Sequence, residues 1–209
     1  MTAGAWFGQL FYLSAGGGML LAISYDDLGD WNVAEDDYED LASEVEENFL
    51  LRPVGRGHGL VLGEDDGLNE AHWMRLAGQP GVTLVAWSAW ADAARRTLPD
   101  DLKQLAKTWD RGDDPRQRWL VEKLSGSDLK WERLEPSQSL ASGVLILSLA
   151  EGRPAKARLA KPRTVADVKQ VIPVGLTPGR YHIETTVINE LPEGEHLVLL
   201  ARWVPAAET

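Results

Sequence analysis

Four glycines in the segment PVGRGHGLVLGED, residues 53–65, give it the composition of a phosphate-binding loop. A dinucleotide-binding loop needs the pattern G-x-G-x-x-G, but its third glycine would fall on Leu60 or Leu62, counted from Gly55 or Gly57. A Walker loop needs Gly-Lys followed by Ser or Thr, and the chain contains no such tripeptide. The segment instead predicts a hairpin from FLLRPV to GLVLG, with a loop that needs positive φ.

The other residue types that do chemistry also lack the required spacing. The chain has no cysteine, which excludes thiolate catalysis, cysteine-based zinc sites and disulfides, and fits a reducing cytoplasm. Its four histidines show no HExxH spacing, and no G-x-S-x-G elbow occurs. The segment EDDGLNE, residues 64–70, lacks the alternating acids of a calcium loop and predicts an acidic turn. We therefore expect no catalytic residue, no metal site and no cofactor, and we do not expect an enzyme.

Charge is distributed very unevenly along the chain. Residues 1–70 hold fifteen acids and two bases, a net charge of −13, whereas the remaining residues hold seventeen acids and nineteen bases, a net charge of +2. A surface polarised in this way repels nucleic acid and anionic membranes and attracts basic partners. The alternative interpretation is a solvated surface that serves solubility alone.

The acids concentrate in the segment NVAEDDYEDLASEVEENF, residues 32–49, which has the pattern of a helix. Asn32 and Glu35 have capping-box spacing, and apolar residues from Tyr38 to Phe49 recur at helical spacing. Acids near the end of a helix oppose its dipole, so helix stability alone does not account for this pattern. The polar face carries Glu35, Asp36, Asp37, Glu39, Asp40, Glu44, Glu46 and Glu47.

Short apolar runs elsewhere predict strands. AWFGQLFYLS and GMLLAIS precede the acidic segment, and GVTLVAWSAWA, residues 81–91, predicts a central strand. RQRWLVEKL, LKWERL, GVLILSLA, LTPGRYHIETTVI and HLVLLARWVP predict further strands, and residues 92–110 have a helical composition. Nine tryptophans are spread over the chain and are expected to anchor the core or its rim.

These elements predict an α+β fold of mostly antiparallel sheets, built from short strands with two or three helices. The loop RGDDP, residues 111–115, is the best internal boundary. It divides the chain into an N-terminal α+β half, residues 1–110, and a mainly β half, residues 111–209. We expect the two halves to form one compact unit.

Several short motifs follow one another in order over most of the chain. They lie at Gly16 and Gly17, Trp31, Asp37 and Tyr38, Val54 to Gly63, Trp73, Val85 to Trp90, and Pro178 to Tyr181. Their order resembles the immunity family numbered twenty-one of bacterial polymorphic toxin systems. One departure is plain, because the family's helix often continues from Asp-Tyr into Arg-Ala-Cys, whereas this chain reads DYEDLA.

The resemblance implies a small cytoplasmic protein that binds and neutralises a cognate secreted toxin by steric and electrostatic blockade. Many such toxins are nucleases with basic clefts, in which an acidic helix could mimic phosphate charge. The expected partner is a toxin with a basic surface, and neither nucleic acid nor a membrane is expected to bind. The predicted contact residues are Glu35, Asp36, Asp37, Glu39, Asp40, Glu44, Glu46, Glu47, Asp65 and Asp66.

Other functions remain open at this point. The helix face could simply be solvated while the toxin binds elsewhere. The chain could be an acidic regulatory module that binds a different protein, or a subunit whose tryptophans line an interface between copies. A metal-dependent hydrolase would use the acidic cluster, but the sequence lacks a spaced ligand set.

Overall fold

Two antiparallel sheets face each other in the computed structural model. The larger sheet has seven described strands and the smaller has five. The structure describes residues 5–7, 11–12, 19–32, 38–45, 48–63, 68, 70–76, 79, 81–89, 115–126, 128–150, 171–189 and 195–207. The strands of the larger sheet are β1 (Ala5–Phe7), β2 (Phe11–Tyr12), β6 (Glu70–Leu76), β7 (Val82–Ala89), β8 (Glu132–Leu140), β11 (Gly179–Ile188) and β12 (Glu195–Pro205). Those of the smaller sheet are β3 (Leu20–Ser24), β4 (Phe49–Val54), β5 (Gly57–Leu62), β9 (Val144–Leu149) and β10 (Val171–Gly175). The strand order is β1-β6-β7-β12-β11-β8 in the larger sheet, with β2 also paired to β6, and β10-β9-β3-β5-β4 in the smaller.

Successive side chains of β3 enter two different hydrophobic clusters. Leu20 and Ala22 lie in the core between the sheets, whereas Leu21 and Ile23 lie on the outer face of the smaller sheet. Because side chains alternate along a strand, a strand covered on both faces has the continuous apolar sequence seen here. The core between the sheets includes two buried tryptophans, and Trp73 meets Trp203 edge to face with centroids 5.5 Å apart.

A helical element covers the outer face of each sheet. A short 3-10 helix, Leu28–Asp30, and helix α1, Tyr38–Glu44, lie over the smaller sheet through Leu28 and Leu41. Helix α2, Pro115–Ser125, packs Leu120 and Leu124 against the larger sheet. The described chain therefore has four layers, with both sheets in the middle.

The α+β class with antiparallel sheets is confirmed, and several predicted strands are observed. FLLRPV is β4, the GLVLG segment lies in β5, and GVTLVAWSAWA contains β7, which lies inside its sheet. Trp31, Trp73, Trp87 and Trp203 are buried, as predicted for core anchors. Each sheet combines strands from both predicted halves of the chain, and the division near residue 110 stays a prediction.

Two predictions about element type or length are wrong. RQRWLVEKL forms α2 rather than a strand, with Pro115 as its first residue, where the fixed φ of proline suits a helix start. The predicted helix over residues 32–49 ends at Glu44 in the structure, and Phe49 begins β4. Asn48, just before that strand, has a φ of 73°, which breaks helical geometry. The capping box with Glu35 and the predicted helix over 92–110 lie outside the described residues.

Candidate functional site

The glycine turn between β4 and β5 packs against carboxylates of the protein itself. Gly55 and Arg56 form a two-residue turn, and Gly55 has a φ of 57°, as the first central residue of a type II′ hairpin requires. A Cβ at Gly55 would overlap Oδ2 of Asp30, and a Cβ at Gly57 would overlap Oδ2 of Asp27. The missing side chains therefore make room for two aspartates, which explains the glycines without a bound phosphate.

Asp27 is 7% exposed and lies at the start of the 3-10 helix. Its Oδ1 accepts a hydrogen bond from the backbone N–H of Arg56 over 3.4 Å. Burial raises the pKa of Asp27; this hydrogen bond opposes the rise, and the negative charges of Asp26 and Asp30 add to it. Asp27 therefore lies close enough to Asp26 and Asp30 for their charges to disfavour its ionised form.

Asp26 has the opposite electrostatic character. Its Oδ2 accepts a hydrogen bond from the backbone N–H of Ser142 over 2.8 Å and another from the Ser24 hydroxyl over 3.1 Å. The backbone hydrogen bond from Ser142 is the main reason that the pKa of Asp26 lies below its ordinary value. Asp26 therefore stays ionised on an exposed turn while it joins the β8–β9 connection to the end of β3.

Helix α1 adds a second row of carboxylates to the same layer. Glu39, Asp40 and Glu44 are exposed, whereas Leu41 is fully buried against the outer face of the smaller sheet. Leu28 and Trp31, which flank the 3-10 helix, belong to the same hydrophobic cluster as Leu41. We use the name acidic cap for the six carboxylates of this layer: Asp26, Asp27, Asp30, Glu39, Asp40 and Glu44.

Trp31 fixes the 3-10 helix to the sheet beneath it. Its ring is 2% exposed, and its Nε1 donates a hydrogen bond to the carbonyl oxygen of Ala150 over 2.8 Å. The absence of a side chain at Gly59 leaves room for the Trp31 ring. A Cβ at that position would lie 3.4 Å from the indole and 2.8 Å from Cδ1 of Leu21. The aspartates of the cap are therefore held on a rigid base.

Of the ten acids predicted from the sequence as contacts, the structure describes three. Glu39, Asp40 and Glu44 lie on one short helix and are exposed, as the helical pattern predicts. Sequence reasoning did not select Asp26, Asp27 or Asp30, although the segment YDDLGDW concentrates them next to a buried strand. The seven other predicted contacts lie outside the described residues: Glu35, Asp36, Asp37, Glu46, Glu47, Asp65 and Asp66.

Within the described part of the chain, no group of three or more histidine, aspartate or glutamate side chains is arranged to hold a metal ion. None of the helices described there is both long enough and apolar enough to cross a membrane. Comparison of the chain with protein-family models, curated proteins and solved structures gives no match.

Proposed function

We propose that this chain is a cytoplasmic immunity protein that binds and neutralises a cognate secreted toxin with a basic surface. The acidic cap is the contact surface, and the acids predicted on either side of α1 extend it. Binding blocks the toxin sterically and by charge, and the chain transforms no substrate. A nuclease is the class of toxin that suits this surface best, because its cleft is built to receive phosphate charge.

The observation that supports the proposal is that the six carboxylates of the acidic cap lie on elements that cover the same face of the smaller sheet. They come from two elements that pack on one face of one sheet through Leu28, Trp31 and Leu41. The exposed carboxylates of this layer therefore face solvent together. Burial is the main reason that the pKa of Asp27 is raised, and the charges of Asp26 and Asp30 add to the rise. A cationic partner would relieve that second, repulsive contribution. Such a surface speeds association and gives it a strong dependence on salt.

The test is a charge reversal of α1 with a matched control. The variant Glu39→Lys, Asp40→Lys, Glu44→Lys changes three exposed acids of the cap and leaves the buried Leu41 in place. The control Glu122→Lys, Asp128→Lys, Glu132→Lys changes three exposed acids on α2 and near β8, outside the cap. The toxin to titrate is the C-terminal domain of a large secreted protein, if a neighbouring upstream reading frame encodes one.

We expect the cap variant to bind that toxin domain at least about 100-fold more weakly at low salt, mainly through slower association. The control variant should bind within a few-fold of the unmodified protein. Equal affinity of the cap variant and the control at low salt would remove α1 from the contact surface. A neighbouring reading frame without a toxin domain would count against the immunity function itself.

A further inference from the structure

A cleft of about 1000 Å³ opens at one end of the two packed sheets. None of its described lining residues belongs to the acidic cap. Its walls come from the end of β6, the start of β7, the β10–β11 connection, the start of β11 and the end of β12. This volume is at the upper end of the range for clefts that bind small organic molecules.

The described lining of the cleft carries a charge opposite to that of the whole chain. Two arginines, Arg75 and Arg180, are among its described lining residues, and no aspartate or glutamate is. Both arginines are exposed, and the chain as a whole carries a net charge of −11. Most of the remaining lining is apolar or backbone, including Leu176, Pro178 and Pro205. A cationic site beside an apolar surface has the chemistry to bind an organic anion.

Hydrogen bonds hold the connection between β10 and β11 from three sides. The guanidinium of Arg75 donates through Nη2 to the carbonyl oxygen of Gly175. The backbone N–H of Leu176 donates to the carbonyl oxygen of Gly143 over 2.6 Å, and the Tyr181 hydroxyl donates to that of Thr177 over 2.6 Å. This wall of the cleft is therefore formed before any ligand arrives, which lowers the entropic cost of binding.

We propose that this cleft binds a small organic oxyanion, a molecule with a phosphate or carboxylate group and an apolar body. Arg75 and Arg180 contact the anionic group, because a guanidinium offers forked N–H donors that match the oxygens of both groups. The apolar body lies on Leu176, Pro178 and Pro205. Tyr181 stays protonated beside them, since burial raises the pKa of its phenol, and its hydroxyl proton is held by Thr177. The site does not depend on the proposed toxin contact, which uses a different surface and the opposite charge.

Calorimetric titration at low salt tests the proposal with two probes that each carry an anionic group on a less polar body, adenosine triphosphate for phosphate and hexanoate for carboxylate. We expect at least one probe to bind saturably with a stoichiometry of one. Binding of one probe and not the other identifies the anionic group. Arg180→Gln should weaken that binding by about tenfold or more, because a charge-assisted contact is lost. The matched control Arg118→Gln changes an exposed arginine on α2 and should leave the affinity unchanged.

Arg75→Gln should weaken binding as well, but it also removes the contact with Gly175 and so can loosen the wall. Arg180, whose side chain has no such structural contact among the described hydrogen bonds, keeps the test independent of folding. Absence of binding by both probes at millimolar concentration would overturn the proposal. Binding that Arg180→Gln and Arg75→Gln leave unchanged would also overturn it. The charge-reversed cap variant should bind the probe as the unmodified protein does, so the two proposals can fail separately.

Discussion

The indole Nε1 of Trp203 donates a hydrogen bond to Oε1 of Gln138 over 2.6 Å in the interior of the sandwich. The same amide donates through Nε2 to the carbonyl oxygen of His58 over 2.6 Å. Trp203 and Gln138 belong to the larger sheet and His58 to the smaller, so one buried side chain connects the two sheets. Gln138 is fully buried, and both halves of its amide have a partner.

Gln138→Leu should lower the free energy of unfolding by about 2–4 kcal/mol, because it leaves a buried indole N–H and a buried carbonyl without partners. Chemical denaturation followed by tryptophan fluorescence measures the change. Ser139→Ala, at the exposed neighbouring position of β8, is the control and should stay within about 0.5 kcal/mol. A loss below about 0.5 kcal/mol in Gln138→Leu would show that the amide does not contribute to holding the sheets together.

Gly57→Ala should destabilise the protein by about 1–3 kcal/mol, because its Cβ would overlap the carboxylate of Asp27 and force the turn to shift. Removing that carboxylate gives the decisive comparison. In the Asp27→Ala background the same alanine should cost markedly less, and a double-mutant cycle measures the difference. Gly175→Ala is the control, since nothing lies within 4 Å of a Cβ at that strand position. Equal costs of Gly57→Ala in both backgrounds would contradict the overlap.

The strands were predictable where their apolar patterns are nearly continuous, as in β3 and β9. Strands covered on both faces need apolar residues at every position, and this pattern can be read directly from sequence. Helix α2 was mistaken for a strand because Trp119, Leu120 and Val121 are adjacent, although Leu120 and Leu124 have the spacing of one helix face. The end of α1 was missed because the backbone of Asn48 takes a positive φ that composition does not reveal.

The exposed face of α1 was predictable, since Leu41 between Asp40 and Ala42 marks the buried side. Asp27 and Asp30 were not, because they take their places in the cap through long-range packing against the β4–β5 hairpin. Arg75 and Arg180 are separated by more than one hundred residues, and they line one cleft because β6 and β11 lie in the same sheet. Sequence patterns report local geometry, and these contacts depend on sheet order.

Asp27→Asn and Asp26→Asn should have opposite effects on stability at pH 7. The folded-state pKa of Asp27 is raised above its ordinary value of 3.8, so its ionisation costs stability as the pH rises through that pKa. Asparagine removes this cost and keeps an acceptor for the Arg56 N–H, and the variant should be at least as stable as the unmodified protein. The folded-state pKa of Asp26 is lowered below 3.8, so its contribution is present above that value and Asp26→Asn should be less stable.

Denaturation between pH 3 and pH 7 measures both differences. The stability difference between each variant and the unmodified protein should grow with rising pH, with opposite signs for Asp27→Asn and Asp26→Asn. Both differences should become smaller near pH 3, where both carboxyls take up protons in the unfolded chain. Destabilisation by Asp27→Asn at pH 7 would show that the carboxylate is stabilised by its surroundings. In that case a cationic partner would relieve no repulsion at Asp27.

Glu184→Gln should weaken an ion cluster on the outer face of the larger sheet. Oε2 of Glu184 accepts from Nε of Arg202 over 2.7 Å, and Oε1 accepts from Nη2 of Arg133 over 3.0 Å. The Arg202 guanidinium also lies 4.0 Å from the centre of the Trp131 ring. The Glu184 side chain is 12% exposed, but both arginines are much more accessible, so solvent weakens the ion pairs. We therefore expect Glu184→Gln to lower the free energy of unfolding by about 1–2 kcal/mol at pH 7.

The pH dependence of this loss separates charge from packing. Burial raises the pKa of Glu184, but the hydrogen bonds and charges of Arg133 and Arg202 outweigh burial and hold the pKa below its ordinary value of 4.5. The stabilisation is therefore complete above pH 4.5 and is lost as the pH falls through the lower folded-state pKa. The difference between Glu184→Gln and the unmodified protein should shrink accordingly, whereas the exposed control Glu132→Gln should have little effect at any pH. A constant difference from pH 3 to pH 7 would mean that Glu184 stabilises the sheet by packing, because only an ionised carboxylate can lose its contribution on protonation.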